Sequence, residues 1–470
     1  MRQIHKLILF VIVVVLMNAC ASTSLLKTEQ ELASQTIYTT LDEALANAPN
    51  VVILKLENDK LSEVPKSITR FKNLQVLHLG YNQLSELPDE LFQLKKLQKL
   101  YLSNNSFSTV PENISLAQKL EVIDLSYNQI QIVDRVIYNC QALKTVNLAQ
   151  NKISALPDSI SKLRNLEVLD LFSNQIVELP ADLPLLVNLK RLDLDWNQLE
   201  YLPKGFGQLV NIETFKAEKN KLKELGDDFG MLTKIKELKI NNNELERLPE
   251  NIGKLKLLTK IDFSNNRLKA LPQSISELTQ IESINLSNNQ LVTLANFSLM
   301  NELKSINLRN NQLTNIDASF FNAPVLDELI LSTNKIQKFS GAFNPDNKIQ
   351  NIDLQMNQLS AFPSQLAMLK SAKMLNLSQN KISEVPAMLN EMVSLENLDM
   401  EYNQLESFYK VVSKHPSIKT LNFSNNNIKL LPLDYAEIKN LERIDLTNNP
   451  LYGWHVPQLK KAFAVGKILL

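Results

Sequence analysis

Cysteine is nearly absent, with two in 470 residues, and that excludes a disulfide framework. Glycine is scarce too, at nine, so turns must be made by other residues, chiefly Asn and Pro. Charge of either sign is lacking in excess: 50 Lys and Arg stand against 50 Asp and Glu. The chain as a whole therefore offers no basic footprint for nucleic acid. The four histidines, His5, His78, His415 and His455, are scattered, and no metal-ligand spacing, phosphate loop or nucleophile elbow appears. Asp193-Leu194-Asp195-Trp196-Asn197 mimics a calcium loop, but Gln198 stands where Gly is required and Lys204 where the bidentate Glu belongs. No catalytic residue, metal or cofactor is expected, and the chain reads as non-enzymatic.

Long apolar runs are also missing. The run Leu7 to Met17 has 11 residues, where a bilayer span needs about 20. With Arg2 and Lys6 before it and Ala19-Cys20 after it, residues 1–19 read as a secretory targeting segment. The polar stretch that follows, to about residue 36, reads as a tether. Thr40-Leu41-Asp42-Glu43 has capping-box spacing and opens a short amphipathic helix ended by Pro49, so residues 37–50 form an N-terminal cap.

What is present is one phrase, repeated. Leu166 to Ile176 spells L-E-V-L-D-L-F-S-N-Q-I, and its Asn recurs from Asn82 to Asn449, with Asp59 in the first slot. Each interval is 23 residues except Asn289 to Asn311, which is 22, giving 18 repeats over residues 51–451. Residues two apart in L-x-L share one face of a short strand, and one repeat cannot bury its own Leu row. Stacked repeats merge those rows into a continuous core. The Asn follows the strand where the chain turns inward, and its amide both donates and accepts, so it suits buried backbone groups.

After the Asn most repeats continue L-x-x-L-P, as at Pro65, Pro88 and Pro111, and Pro suits the opening of a helical turn. The Pro is lost in three successive repeats, at Ala295, Asp317 and Ser340, beside the 22-residue interval. A local change is expected there, between about 290 and 345. Cys140 occupies a Leu slot and reads as a buried filler. In Phe215-Lys216-Ala217 a small residue sits beside a large one, keeping core volume roughly constant. Residues 452–470 leave the pattern and read as a C-terminal cap, with Trp454 as its lid.

This spelling and period resemble the leucine-rich repeat family, in its 23-residue class. The resemblance implies an α/β repeat solenoid: a horseshoe with a parallel β-sheet on the concave face and short helices or turns on the convex face. Ala19-Cys20 resembles the lipobox of bacterial lipoproteins, an ordinary secretory signal being the alternative. That implies acylation of Cys20 and, with Ala21 after it, an outer-membrane lipoprotein on the periplasmic face or the cell surface.

Residues between and after the strand leucines carry the specificity. Repeats 2 to 7 place Tyr81, Tyr101, Tyr127, Phe172 and Trp196 there, with His78, Asp124, Asp170, Asp193 and Asp195 nearby. At the chain's 6% aromatic content their 24 exposed strand positions would hold one or two aromatics, not five. Aromatics beside polar groups make a binding surface. The expected role is a protein-binding scaffold of the cell envelope, with glycan binding, adhesion or a passive scaffold as alternatives. The inner face of the later repeats, mostly Ser, Asn and Thr, reads as a solvated ladder.

Overall fold

The computed structural model describes residues 26–408 and 415–470; the targeting segment and Cys20 lie outside the described residues. The chain divides into two compact units, one ending at Gln175 and one running from Ile176 to Leu470. Each unit is a repeat solenoid. In the first, seven strands from Ile37–Tyr38 to Val168–Asp170 pair in parallel, each with the next, and Leu77 stands opposite Leu100 in the ladder. The second continues the same pattern from Arg191–Asp193 to Ile468–Leu469. Most strands are three residues long, with the middle residue in the core and its two neighbours outward.

Strands stop after three residues because the backbone then turns left-handed. All 18 residues immediately before the repeated Asn or Asp have positive φ, and eight of them are Asn, the residue that tolerates this conformation best after Gly. The following Asn fixes the turn. In Asn266 the side-chain oxygen accepts from Leu245 N at 3.0 Å, while the amide nitrogen donates to Ile240 O at 3.1 Å and Phe263 O at 3.2 Å. One side chain thus satisfies the buried backbone of its own repeat and the one before. Asp59, at the start of the row, is exposed and only its backbone N–H joins the pattern.

On the other side of most repeats runs a short 3-10 helix. Proline precedes these helices rather than opening them: Pro65, Pro88, Pro111 and Pro363 sit one residue before, extended, and each accepts from the N–H three residues on. The expected change near 290–345 is present. The repeat of Ala295 has no 3-10 helix, and Asn315–Asp317 pairs with Lys338–Ser340 as a separate parallel ladder. Proline at either 317 or 340 would remove an N–H there; the similar pair at Glu384–Val385, which Pro386 follows, has two rungs instead of three.

The core is continuous within each unit. Phe206, Phe215 and Phe229 pack with centroids 5.1 to 6.1 Å apart around the space left by Ala217. Cys140 is buried, its Sγ donates to Ile114 O at 3.2 Å, and burial pushes its thiol up to about 12, so it is an inert filler. Two features depart from expectation. Helix α1, Glu29–Ala33, lies within the expected tether and carries a full capping box from Thr28 and Glu31. Its Leu32 is buried with Val52, Ile53 and Val76. At the other end, Trp454 is 61% exposed and stacked on Tyr452, so Leu459, Phe463 and His455 close the core instead. The expected cap helix, α2, spans Leu41–Ala46 with Thr40 as N-cap.

Replacing Asn266 by Ala strands the buried Leu245 N–H and takes one of two amide donors from each of Ile240 O and Phe263 O. We expect a loss of about 1–3 kcal/mol, read as a lower urea midpoint.

Candidate binding surface

Each repeat offers a handful of outward positions: the two strand flanks and the two residues before the ladder Asn. The last of these is the left-handed position. Four aromatics occupy it, Tyr81, Tyr127, Trp196 and Tyr402, and all are about half exposed or more, at 60, 54, 49 and 55%. A non-Gly residue in this conformation costs about 1–2 kcal/mol unless its side chain suits it, as Asn does. Large rings held out to solvent on strained backbone have no packing reason to be there.

In the first unit the expected residues separate into three groups. Tyr81 and Tyr127 stand two strands apart, about 10 Å, with their rings exposed. His78 and Tyr101 instead stack on each other at 4.4 Å, and Tyr101 packs against the core cluster that includes Leu32 of α1. His78 also pairs with Glu57 at 3.2 Å, while burial holds its imidazole below the usual range. These two are half-buried, held against each other and the chain. Asp124 and Asp170 are strand stops: each accepts the N–H two residues on, from Ser126 at 2.9 Å and Phe172 at 3.0 Å. Asn147, Asp262 and Asn376 do the same in their repeats. Phe172 is half-buried.

In the second unit Trp196 carries Lys219 Nζ over its ring, 3.6 Å from the centroid. Asp193 is buried and lies 3.5 Å from Arg191 and 3.7 Å from Lys216. Asp195 is also buried and accepts from Glu218 N at 2.6 Å. Lys216 and Lys239 both lie 3.6 Å from Glu237. Among the described residues no group of three or more His, Cys, Asp or Glu could hold a metal ion.

The later repeats hold what the sequence reading missed. Glu328, Ile330, Asp353, Met374, Asp399 and Asn422 line a trough of about 670 Å³ in the sheet face of the second unit. Its signal was available: from Glu328 to Asn425 the outward positions on the main-sheet face carry four carboxylates and no Lys or Arg. The signal for α1 was also available, since Thr28-Glu29-Gln30-Glu31 has the same spacing as Thr40 to Glu43.

With this geometry in place, the comparisons can be read. The leucine-rich repeat profile matches residues 49–107, 233–291, 301–359 and 347–405, and a leucine-rich repeat region matches 118–246. A leucine-rich repeat protein of Leptospira interrogans is 30% identical over 93% of this chain and all of its own, with a TM-score of 0.65. The chain belongs to the leucine-rich repeat family. Two more distant structures share the fold. The Arabidopsis receptor kinase HAESA, in complex with the peptide hormone IDA and the co-receptor SERK1, is 24% identical, covering 88% of this chain and 77% of its own, with a TM-score of 0.63. YopM from Yersinia enterocolitica is 23% identical, covering 87% and 85%, with a TM-score of 0.59. No curated protein matches.

Within this leucine-rich repeat chain the carboxyl of Asp195 is pushed up to about 7, first by burial and then by Asp193. Below about pH 4 both the folded and the unfolded forms hold that proton; between about 4 and 7 only the folded form does, so the stability it contributes is lost as pH rises through that window. Asp195→Asn keeps the acceptor for Glu218 N. We expect it to melt like the parent near pH 4 and at a higher temperature near pH 8, as followed by circular dichroism.

Proposed function

We propose that the chain is a non-enzymatic protein-interaction scaffold of the bacterial cell envelope, with a protein partner docking on the exposed sheet face. One observation carries the reading: exposed aromatic rings at Tyr81, Tyr127, Trp196 and Tyr402 are held on left-handed backbone where Asn would fit with less strain. Rigid aromatics with a polar tip supply contact area at low entropic cost and are common binding hot spots. HAESA, which shares the fold, is seen bound to a peptide hormone and a co-receptor. The family supplies interaction surfaces, and the rings mark where this member would use its own.

The envelope part rests on residues outside the described region. Arg2, Lys6, the apolar run Leu7 to Met17 and the Ala19-Cys20 junction support export and acylation of Cys20, with the outer membrane as destination. Among the described residues no helix is long and apolar enough to cross a membrane. A lipid on Cys20 would be the attachment.

Tyr81→Asn, Tyr127→Asn and Trp196→Asn combined should hold or raise the melting temperature, because Asn suits the left-handed position. The same variant should lose affinity capture of the partner from envelope extracts by tenfold or more, on the order expected for removing aromatic hot spots. Undiminished capture would remove the rings as the site, and signal on a glycan array that vanishes in the variant would replace protein by sugar. Separately, Cys20→Ser should shift the protein from the membrane pellet to the soluble fraction; a variant that stays in the pellet would exclude the lipid anchor.

A further inference from the structure

The trough in the second unit has its own chemistry. Its floor is apolar where Ile330 and Met374 face outward, and its walls carry Glu328, Asp353 and Asp399, with Glu401 beside it. Among the described residues none of these four carboxylates has a cationic side chain within 4.0 Å. That differs from the two ends of the unit, where Asp193 lies near Arg191 and Lys216 and Asp445 pairs with Arg443 at 3.2 Å. Arg309 and Arg443 bound the stretch, and between them the outward strand positions of the main sheet, which leaves out Lys338 in the separate ladder, hold nothing basic.

We propose that this trough binds an extended, basic polypeptide segment, with cationic side chains at every third residue seated against Asp353 and Asp399 and apolar residues between them on Met374. The spacing follows from the sheet. Asp353 and Asp399 stand on strands separated by the strand of Met374, hence about 9.6 Å apart at about 4.8 Å per strand. A polyproline II segment repeats every three residues, about 9.3 Å, whereas a β-strand returns to the same side every two residues, about 6.6 Å. A single metal ion cannot bridge two carboxylates at that separation, but a peptide with spaced cations can. Burial holds the Asp399 carboxyl above its usual range, as expected of a carboxylate waiting for a counter-charge.

This inference rests on the reading of the sheet face as protein-binding, and its test is built to fail independently of it. Fluorescence anisotropy on the full-length chain would use a labelled peptide of repeated Arg-Pro-Pro triplets. Comparators are repeated Glu-Pro-Pro and an alternating Arg-Pro peptide with the same number of arginines. We expect Arg-Pro-Pro to bind tightest, with affinity falling as salt rises, and Asp353→Asn with Asp399→Asn to weaken it at least about tenfold. Both replacements keep the acceptor for the N–H two residues on, as Asn376 and Asn422 already do, so the fold is retained. Equal binding of the two arginine peptides, displacement by spermine at equal charge, or an unchanged affinity in the Asn variants would overturn the proposal. Loss of the trough on these grounds, with partner capture still dependent on the aromatic rings, would leave the broader reading standing.

Discussion

Everything else in the molecule depends on one buried amide per repeat. A chain that leaves a strand and dives under its neighbour buries carbonyls and an N–H that no secondary structure pairs, and leaving such groups unmade costs more than making them gains. Asn answers with one acceptor and two donors spanning two successive repeats, as Asn105 does with Leu84 N, Leu79 O and Leu102 O. The row is insensitive to what happens on the helical side. Where one residue is deleted before Asn311, its oxygen still accepts from Leu291 N at 3.0 Å and its nitrogen still reaches Leu286 O at 3.0 Å, only 20 and 25 residues back instead of 21 and 26. The amide row is kept and the deletion is absorbed elsewhere.

Because the amides fix the turn, they also fix the left-handed residue before each of them, and this separates two kinds of outward position. Strand-end residues such as Asp124, Asp170 and Asp193 look like recognition groups in sequence, being acidic and outward. Their carboxylates are instead taken by the backbone two residues on. Nothing in the spelling distinguishes a carboxylate that only stops a strand from one that also meets a partner, and Asp353 and Asp399 make the same bond through Oδ1. The left-handed residue has no such internal task, and its side chain is free to be Asn, Lys, Met or Tyr at the expense of a little strain.

Legibility in the sequence follows the same division. Leu and Asn positions obey a period, and the solenoid, the caps at Leu41–Ala46 and Val456–Ala462, and the altered region at Asn315–Ser340 could be read from it. Helix α1 could not be placed, although its capping box is spelled out, because its burial against Val52, Ile53 and Val76 is a contact across the fold rather than a pattern along it. That contact takes His78 and Tyr101 out of the surface that composition alone had assigned them to. The trough was hidden for the converse reason. It is made by residues 23 apart on successive strands, so a run of small polar letters read as a solvated ladder while the column of unpaired carboxylates crossed it unseen.

The two candidate surfaces therefore differ in how the fold supports them. The aromatic rings stand on strained backbone, each an independent expense of about 1–2 kcal/mol that a long solenoid with nearest-neighbour stability can carry repeat by repeat. The trough is unstrained; what it stores is electrostatic, carboxylates without a counter-charge, with Asp399 partly desolvated among them. Such groups weaken the free protein and are relieved when a partner supplies the missing charge, so the same residues that cost stability alone would give selectivity for basic over acidic segments. A fold whose core and turns are settled by Leu and Asn leaves both kinds of cost to be placed on the face, where a binding partner can offset them.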